Sequence, residues 1–285
     1  MADRFIEIAG ARVRYRVEGT GPAVVLVHGL GAFIESWAWT IPALRDRYTT
    51  IAFDFPGFGQ SSPLDAAFSP EGAASFVASF MDALEVRRAA LIGSSLGGTI
   101  ATLVAGRTPG RCTALVLAAP AGFGPHVTLA TRLATLPFVG ECFVAAIRRA
   151  PQVGVRSAFR RREQIPPPIL DAARRTFRAG PAGDTCLRIV RSTVTVRGIH
   201  PGVIRRVHEA AARVTARTLV VWGTLDRVVP PAHAAIVTRA IPHAETLMIP
   251  GASHVPYIED ADTFNTAVRE FLIRSERLAG VGTRR

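Results

Sequence analysis

A chain of 285 residues, 48% of them hydrophobic and 20% charged, is long enough to bury a large core and too apolar to be disordered as a whole. Its net charge of +12 rests on arginine alone, because all 34 basic residues are arginine. No apolar run is long enough to cross a bilayer, no basic leader with an apolar stretch opens the chain, and Cys112, Cys142 and Cys186 lack metal or disulfide spacing, so a soluble cytoplasmic protein is expected.

Arg12 to Val17 alternates polar and apolar residues, the period of a half-exposed strand whose three arginines line the wet face. Ala23 to Val27 and Thr50 to Phe53 are continuous apolar runs, as strands buried on both faces of a parallel sheet require. Helical patterns follow around Trp37 to Leu44 and Gly72 to Leu84. Ala89 to Ile92 is another buried run, followed by Gly93-Ser94-Ser95-Leu96-Gly97 and a helical stretch to Ala105, and Ala114 to Ala119 is the next strand.

The alternation then breaks. From Gly122 to Arg213 there are no buried-strand runs, only helix-like stretches interrupted by prolines. Between Gly124 and Arg213 lie 16 arginines and five acidic residues, so this segment carries +11 of the chain's +12. Strand and helix resume at Thr218 to Trp222 and Pro231 to Ala240, then Glu245 to Ile249, and a final amphipathic helix covers Ala261 to Leu278. The tail from Gly280 to Arg285 reads as poorly ordered. These patterns predict an α/β fold with a mostly parallel sheet flanked by helices, built from residues 1–121 and 214–285, and an inserted helical cap at 122–213.

The pentapeptide Gly93 to Gly97 has the G-x-S-x-G form of a sharp strand-to-helix turn, where glycines avoid collisions and the central side chain stands clear of the sheet. Ser95 is central. Ser94 is the second choice, because its flanking positions hold Ile92 and Leu96 instead of small residues. A serine nucleophile needs a base, and the base needs an acid to hold its tautomer. Asp226 follows the strand ending at Gly223, and His254 follows the next strand among small residues that would leave its imidazole accessible. The order Ser95, Asp226, His254 suits a catalytic triad of the α/β type. His28-Gly29-Leu30-Gly31 follows a buried strand, and the Leu30 and Leu96 N–H groups would form an oxyanion hole, with His28 bracing the loop. The remaining five histidines read as structural or surface residues.

With Asp54-Phe55-Pro56-Gly57-Phe58-Gly59-Gln60-Ser61, which is similar to a D-x-P-G-x-G-x-S loop, five motifs stand in the order of the α/β-hydrolase fold family. The chain resembles cap-bearing, esterase-like serine hydrolases of that family over almost its whole length. The resemblance implies ester cleavage through an acyl-enzyme on Ser95, with no metal or organic cofactor and a small-molecule ester as substrate. Dehalogenases and epoxide hydrolases of the fold attack with Asp where this chain has Ser95. Carbon–carbon bond hydrolases commonly carry Trp after the catalytic His, where this chain has Val255, and the long H-G-G-G loop of some lipases is unmatched. A carbon–carbon hydrolase, a lyase and a ligand receptor on the same fold stay open as alternatives.

The cap stretch Leu133 to Ile147, with Leu136, Phe138, Phe143 and Val144, is expected either to line a pocket for an apolar group or to glue cap to core. Charge runs such as Arg160-Arg161-Arg162 read as wet helix faces, with an acidic carrier or anionic surface as the alternative partner. Nucleic acid is not expected, because the positive segment has few aromatics and no reading motif.

Overall fold

The computed structural model describes residues 2–161, 163, 165–178 and 180–282. The chain starts with β1 (Arg4–Ile8), β2 (Ala11–Glu18), β3 (Ala23–Val27), α1 (Thr40–Leu44) and β4 (Thr49–Phe53). It continues through α2 (Pro70–Ala83), β5 (Ala89–Ser94), α3 (Leu96–Arg107) and β6 (Cys112–Ala118). Helices α4 (Leu129–Leu133), α5 (Val139–Arg149), α6 (Pro151–Arg156), α7 (Pro167–Arg178) and α8 (Ala182–Thr193) precede a small hairpin of β7 (Val194–Thr195) and β8 (Gly198–Ile199). The last elements are α9 (Pro201–Ala211), β9 (Thr218–Gly223), α10 (His233–Ala240), β10 (Glu245–Ile249), α11 (Pro256–Glu259) and α12 (Ala261–Gly282).

Eight strands form one sheet in the order β1-β2-β4-β3-β5-β6-β9-β10. From β4 to β10 the pairing is parallel, and β1 and β2 extend the edge antiparallel. The continuous apolar runs take the central places because both faces there are covered: all six residues of β5 and all six of β9 are buried. From β3 the chain goes to β4 on one side and later to β5 on the other. The carboxyl ends of β3 and β5 therefore flank the point where strand order reverses, which is where an open α/β sheet offers a crevice.

Three expectations need correction. Arg14 of β2 does not face water: it is 2% exposed and bonds to Asp54 and Glu35, because the loop after β4 and the turn at Ile34–Trp37 cover that face. Arg160 and Arg161 lie in an irregular stretch between α6 and α7 and not on a helix face, and Arg162 lies outside the described residues. Of the tail expected to be poorly ordered, 280–282 continue α12, and 283–285 lie outside the described residues.

Helix α9 falls within the segment expected to be a cap, yet it packs on α3 of the core. A Cβ at Gly106 of α3 would run into the backbone of Ala210 on α9, so glycine is what permits this approach. Gly106→Ala should lower stability by about 1–3 kcal/mol, even after the roughly 1 kcal/mol that alanine gains in helix propensity. Urea unfolding checks this, and a variant as stable as the parent would show that α9 is not seated against α3.

Candidate active site

The residue between β5 and α3 is Ser95, and its backbone is strained, with φ of 52° and ψ of −117°. Its N–H donates to the Ala118 carbonyl at 2.9 Å, and its carbonyl accepts from Gly98, Thr99 and Ala121 N–H at 3.0, 3.2 and 3.1 Å. The glycines on either side are required by contact: a Cβ on Gly93 would meet the Gly97 backbone, and a Cβ on Gly97 would meet the Val27 carbonyl at the end of β3. Ser94, by contrast, is buried as the last residue of β5. Both serines border a cavity of about 530 Å³ under α4 to α8, and Ser95 is the more exposed of the two.

Asp226 and His254 come together from the loops after β9 and β10. His254 Nδ1 lies 2.8 Å from Asp226 Oδ2, and the Asp226 side chain has no exposed surface. The other carboxylate oxygen accepts from Val228 and Val229 N–H at 2.8 and 3.0 Å. These amides fix the carboxylate, so Asp226 holds the His254 proton on Nδ1 and leaves Nε2 as a proton acceptor. His254 borders the same cavity as Ser95. The expected accessibility of its imidazole is corrected: His254 is 6% exposed, because the chain after α6 lies over it and the Ala158 carbonyl accepts its N–H at 3.1 Å.

The loop after β3 reaches the same place. Gly29 sits against Ser95, where a Cβ would come within 3.2 Å of the serine's own Cβ. Leu30 and Leu96 line the cavity, and among the described residues neither N–H donates to a backbone acceptor. This loop is braced from the β4 side. His28 Nε2 accepts from Phe55 N–H at 2.9 Å, and its Nδ1 lies 2.8 Å from the Gly29 carbonyl. Asp54 accepts from Ile34 N–H at 2.8 Å and Gln60 N–H at 2.9 Å, and from Arg14 at 3.1 Å. Burial pushes the Asp54 carboxyl up to about 6, against the opposing pull of Arg14. The Arg14 and Glu35 members of this brace carry no sequence signal except the charge of residues on an apparently wet strand.

Of the five other histidines, each has a structural contact: His126 with His233, His208 with the Phe123 carbonyl, His243 with the Ala216 carbonyl, and His200 as the cap of α9. The apolar stretch from Leu133 to Ile147 divides. Phe143, Val144 and Ile147 line the cavity, whereas Leu133, Leu136 and Phe138 are exposed. No three or more His, Cys, Asp or Glu residues cluster as metal ligands among the described residues, and no helix there is long and apolar enough to cross a membrane.

Burial depresses the His28 imidazole from 6.5 to about 4. Between these values the unfolded chain binds the proton and the folded chain does not, so stability rises with pH across this window and is lost as pH falls through it. The loss amounts to about 3 kcal/mol by the bottom of the window. The difference between wild type and His28→Gln in urea unfolding from pH 4 to 7 isolates this limb, and a difference that does not vary with pH would contradict it.

The sequence profile of the alpha/beta hydrolase fold matches residues 22–261. The dihydrolipoyllysine-residue acetyltransferase component of an acetoin cleaving system from Cupriavidus necator is 32% identical over 276 residues, covering 95% of this chain and 69% of that protein. A 2-hydroxy-6-oxo-6-(2'-aminophenyl)hexa-2,4-dienoic acid hydrolase from Metapseudomonas resinovorans is 28% identical over 278 residues, covering 95% and 91%. Among solved structures, a bacterial membrane phospholipase A superposes with a TM-score of 0.79 at 25% identity, covering 96% of this chain and 86% of that one. With its parallel sheet, its strained serine turn and a profile match across most of its length, the chain belongs to the alpha/beta hydrolase fold family.

Proposed function

We propose that the protein is a serine hydrolase that cleaves carboxylic esters with an apolar acyl or alcohol part. Ser95 Oγ attacks the ester carbonyl while His254 Nε2 takes its proton, and Asp226 stabilises the resulting imidazolium. The Leu30 and Leu96 N–H groups receive the oxyanion, helped by the partial positive charge at the start of α3. The alcohol leaves with the proton from His254. Water then gives a proton to His254, attacks the acyl-enzyme and releases the acid as Ser95 recovers its hydrogen. No step requires a metal or organic cofactor. In this reading residues 1–121 and 214–285 are the core and 122–213 the cap, with α9 as the part of the cap that is anchored on α3.

The observation that carries the choice of substrate is the lining of the cavity. Its walls are Phe143, Ile147, Phe177, Val190, Ile199 and similar residues, and no Arg, Asp or Glu lines it among the described residues. This holds although the cap above it carries 16 arginines. A cavity of about 530 Å³ suits a small organic molecule. A carboxylate placed inside would lose its hydration without gaining a cation, which is strongly unfavourable. The dienoic acid named for the relative from Metapseudomonas carries such a carboxylate. An uncharged ester does not, so ester cleavage is favoured over carbon–carbon cleavage of an acid. The acetyltransferase and phospholipase named among the relatives also act on acyl groups.

The arginines of the cap serve its outside. Arg148 pairs with Asp184, Arg174 with Asp171, and Arg191 with Glu141, and the surplus positive charge would favour an acidic carrier or an anionic surface bringing the substrate. That attraction should weaken with added salt.

Ser95→Ala should lower kcat/KM for p-nitrophenyl esters by roughly 10⁴-fold while the fold persists. Across a series of acyl chain lengths, kcat/KM should rise from acetate to longer chains, and Ile147→Trp should shift the preference back towards short ones. Retained turnover in Ser95→Ala, or faster cleavage of a dienoic acid than of any ester, would overturn the proposal.

A further inference from the structure

The loop that carries His254 is held from two sides. On the core side, Leu225 N–H donates to the Ala252 carbonyl at 2.9 Å and Gly251 N–H donates to Thr224 Oγ1 at 2.9 Å. On the other side lies the cap stretch between α6 and α7, whose Ala158 carbonyl accepts the His254 N–H. One carboxylate joins the two sides. Glu259 Oε1 accepts the Arg160 N–H of the cap at 2.6 Å, and Oε2 accepts the Ser253 N–H, next to His254, at 2.6 Å.

Glu259 is well placed for this because it ends α11, the short helix that starts two residues after His254, and its own N–H donates to the Val255 carbonyl at 3.0 Å. The helix therefore turns the carboxylate back onto the loop from which it came. Each oxygen receives one backbone N–H, a short charge-assisted bond that an apolar or basic side chain does not provide. The Arg160 guanidinium bonds to the Gly251 carbonyl at 3.4 Å and acts on the carboxylate through its charge, as the weakest of the influences on it. Burial raises the Glu259 carboxyl above its usual range, the two amides oppose this, and Asp226 adds to it. The acid thus persists beside another acid, in a half-buried place where its main partners are the two amides.

We propose that Glu259 is a positioning residue that couples the seating of His254 to the docked cap, so that the proton acceptor is in place only when the stretch 158–160 lies on the loop. This rests on the reading of His254 as the general base. A cap that lifts loses the Arg160 and Ala158 bonds together, and the His254 loop is then held by the core alone. Substrate entry under the cap and assembly of the base become linked events.

The test compares Glu259→Ala, Glu259→Gln and Ser95→Ala with the wild type, using p-nitrophenyl butyrate turnover and backbone amide exchange. Glu259→Ala should lower kcat roughly 10- to 100-fold, since small displacements of a catalytic group have effects of that size. KM should stay within about twofold, because the cavity wall is unchanged. Exchange should accelerate in 158–161 and 251–254 together. Glu259→Gln keeps one acceptor oxygen and should fall between, and it decides the matter if the alanine variant does not fold. Wild-type kcat in a folded Glu259 variant, or faster exchange in only one of the two segments, would overturn the coupling. Turnover surviving in Ser95→Ala would instead overturn the serine-hydrolase reading on which it rests.

Discussion

Everything at the site depends on one backbone constraint: Ser95 held at positive φ where β5 turns into α3. A non-glycine residue there stores on the order of 1–3 kcal/mol, and it persists only because its surroundings over-determine it. Those surroundings are the bond to Ala118, the three amides on its carbonyl, and the close approach of Gly97 to the end of β3. The same approach brings Gly29 against Ser95 and so sets the loop after β3 beside it. Ser95 and the loop after β3 are thus one rigid unit, braced further by His28 and Asp54 from the β4 side.

The other half of the site is built differently. Asp226 is fixed by two amides of its own loop, but the His254 loop borrows contacts from the cap. The serine is thus held by the sheet and its turn, and the histidine loop by contacts from two segments far apart in the chain. Charge is divided in the same way. The 16 arginines of residues 124–213 leave the cavity untouched among the described residues, and its lining is mostly apolar.

Much of this was legible in the sequence. Continuous apolar runs mark β3, β5, β6 and β9 because parallel strands are buried on both faces, and the G-x-S-x-G turn marks Ser95 because only glycine fits its flanks. The misreadings share a cause, which is that local patterns do not say what lies opposite. Alternation in β2 correctly gives two faces, but the face holding Arg14 is covered by residues 21 and 40 positions away in the chain. Small residues around His254 predict exposure, whereas the stretch after α6 lies over the loop. Edge strand β1 has no run of buried residues to reveal it. Glu259 belongs to no motif, and its two partners lie 99 and 6 residues away, so only the fold brings its contacts into view.

The central claim is that Ser95 is a nucleophile made reactive by His254. Peptide mapping of the protein after brief exposure to a fluorophosphonate probe tests it directly. The account predicts one adduct, on the peptide containing Ser95, forming far more slowly when His254 is replaced by Ala. An adduct on Ser94 or elsewhere, or labelling that does not depend on His254, would contradict it.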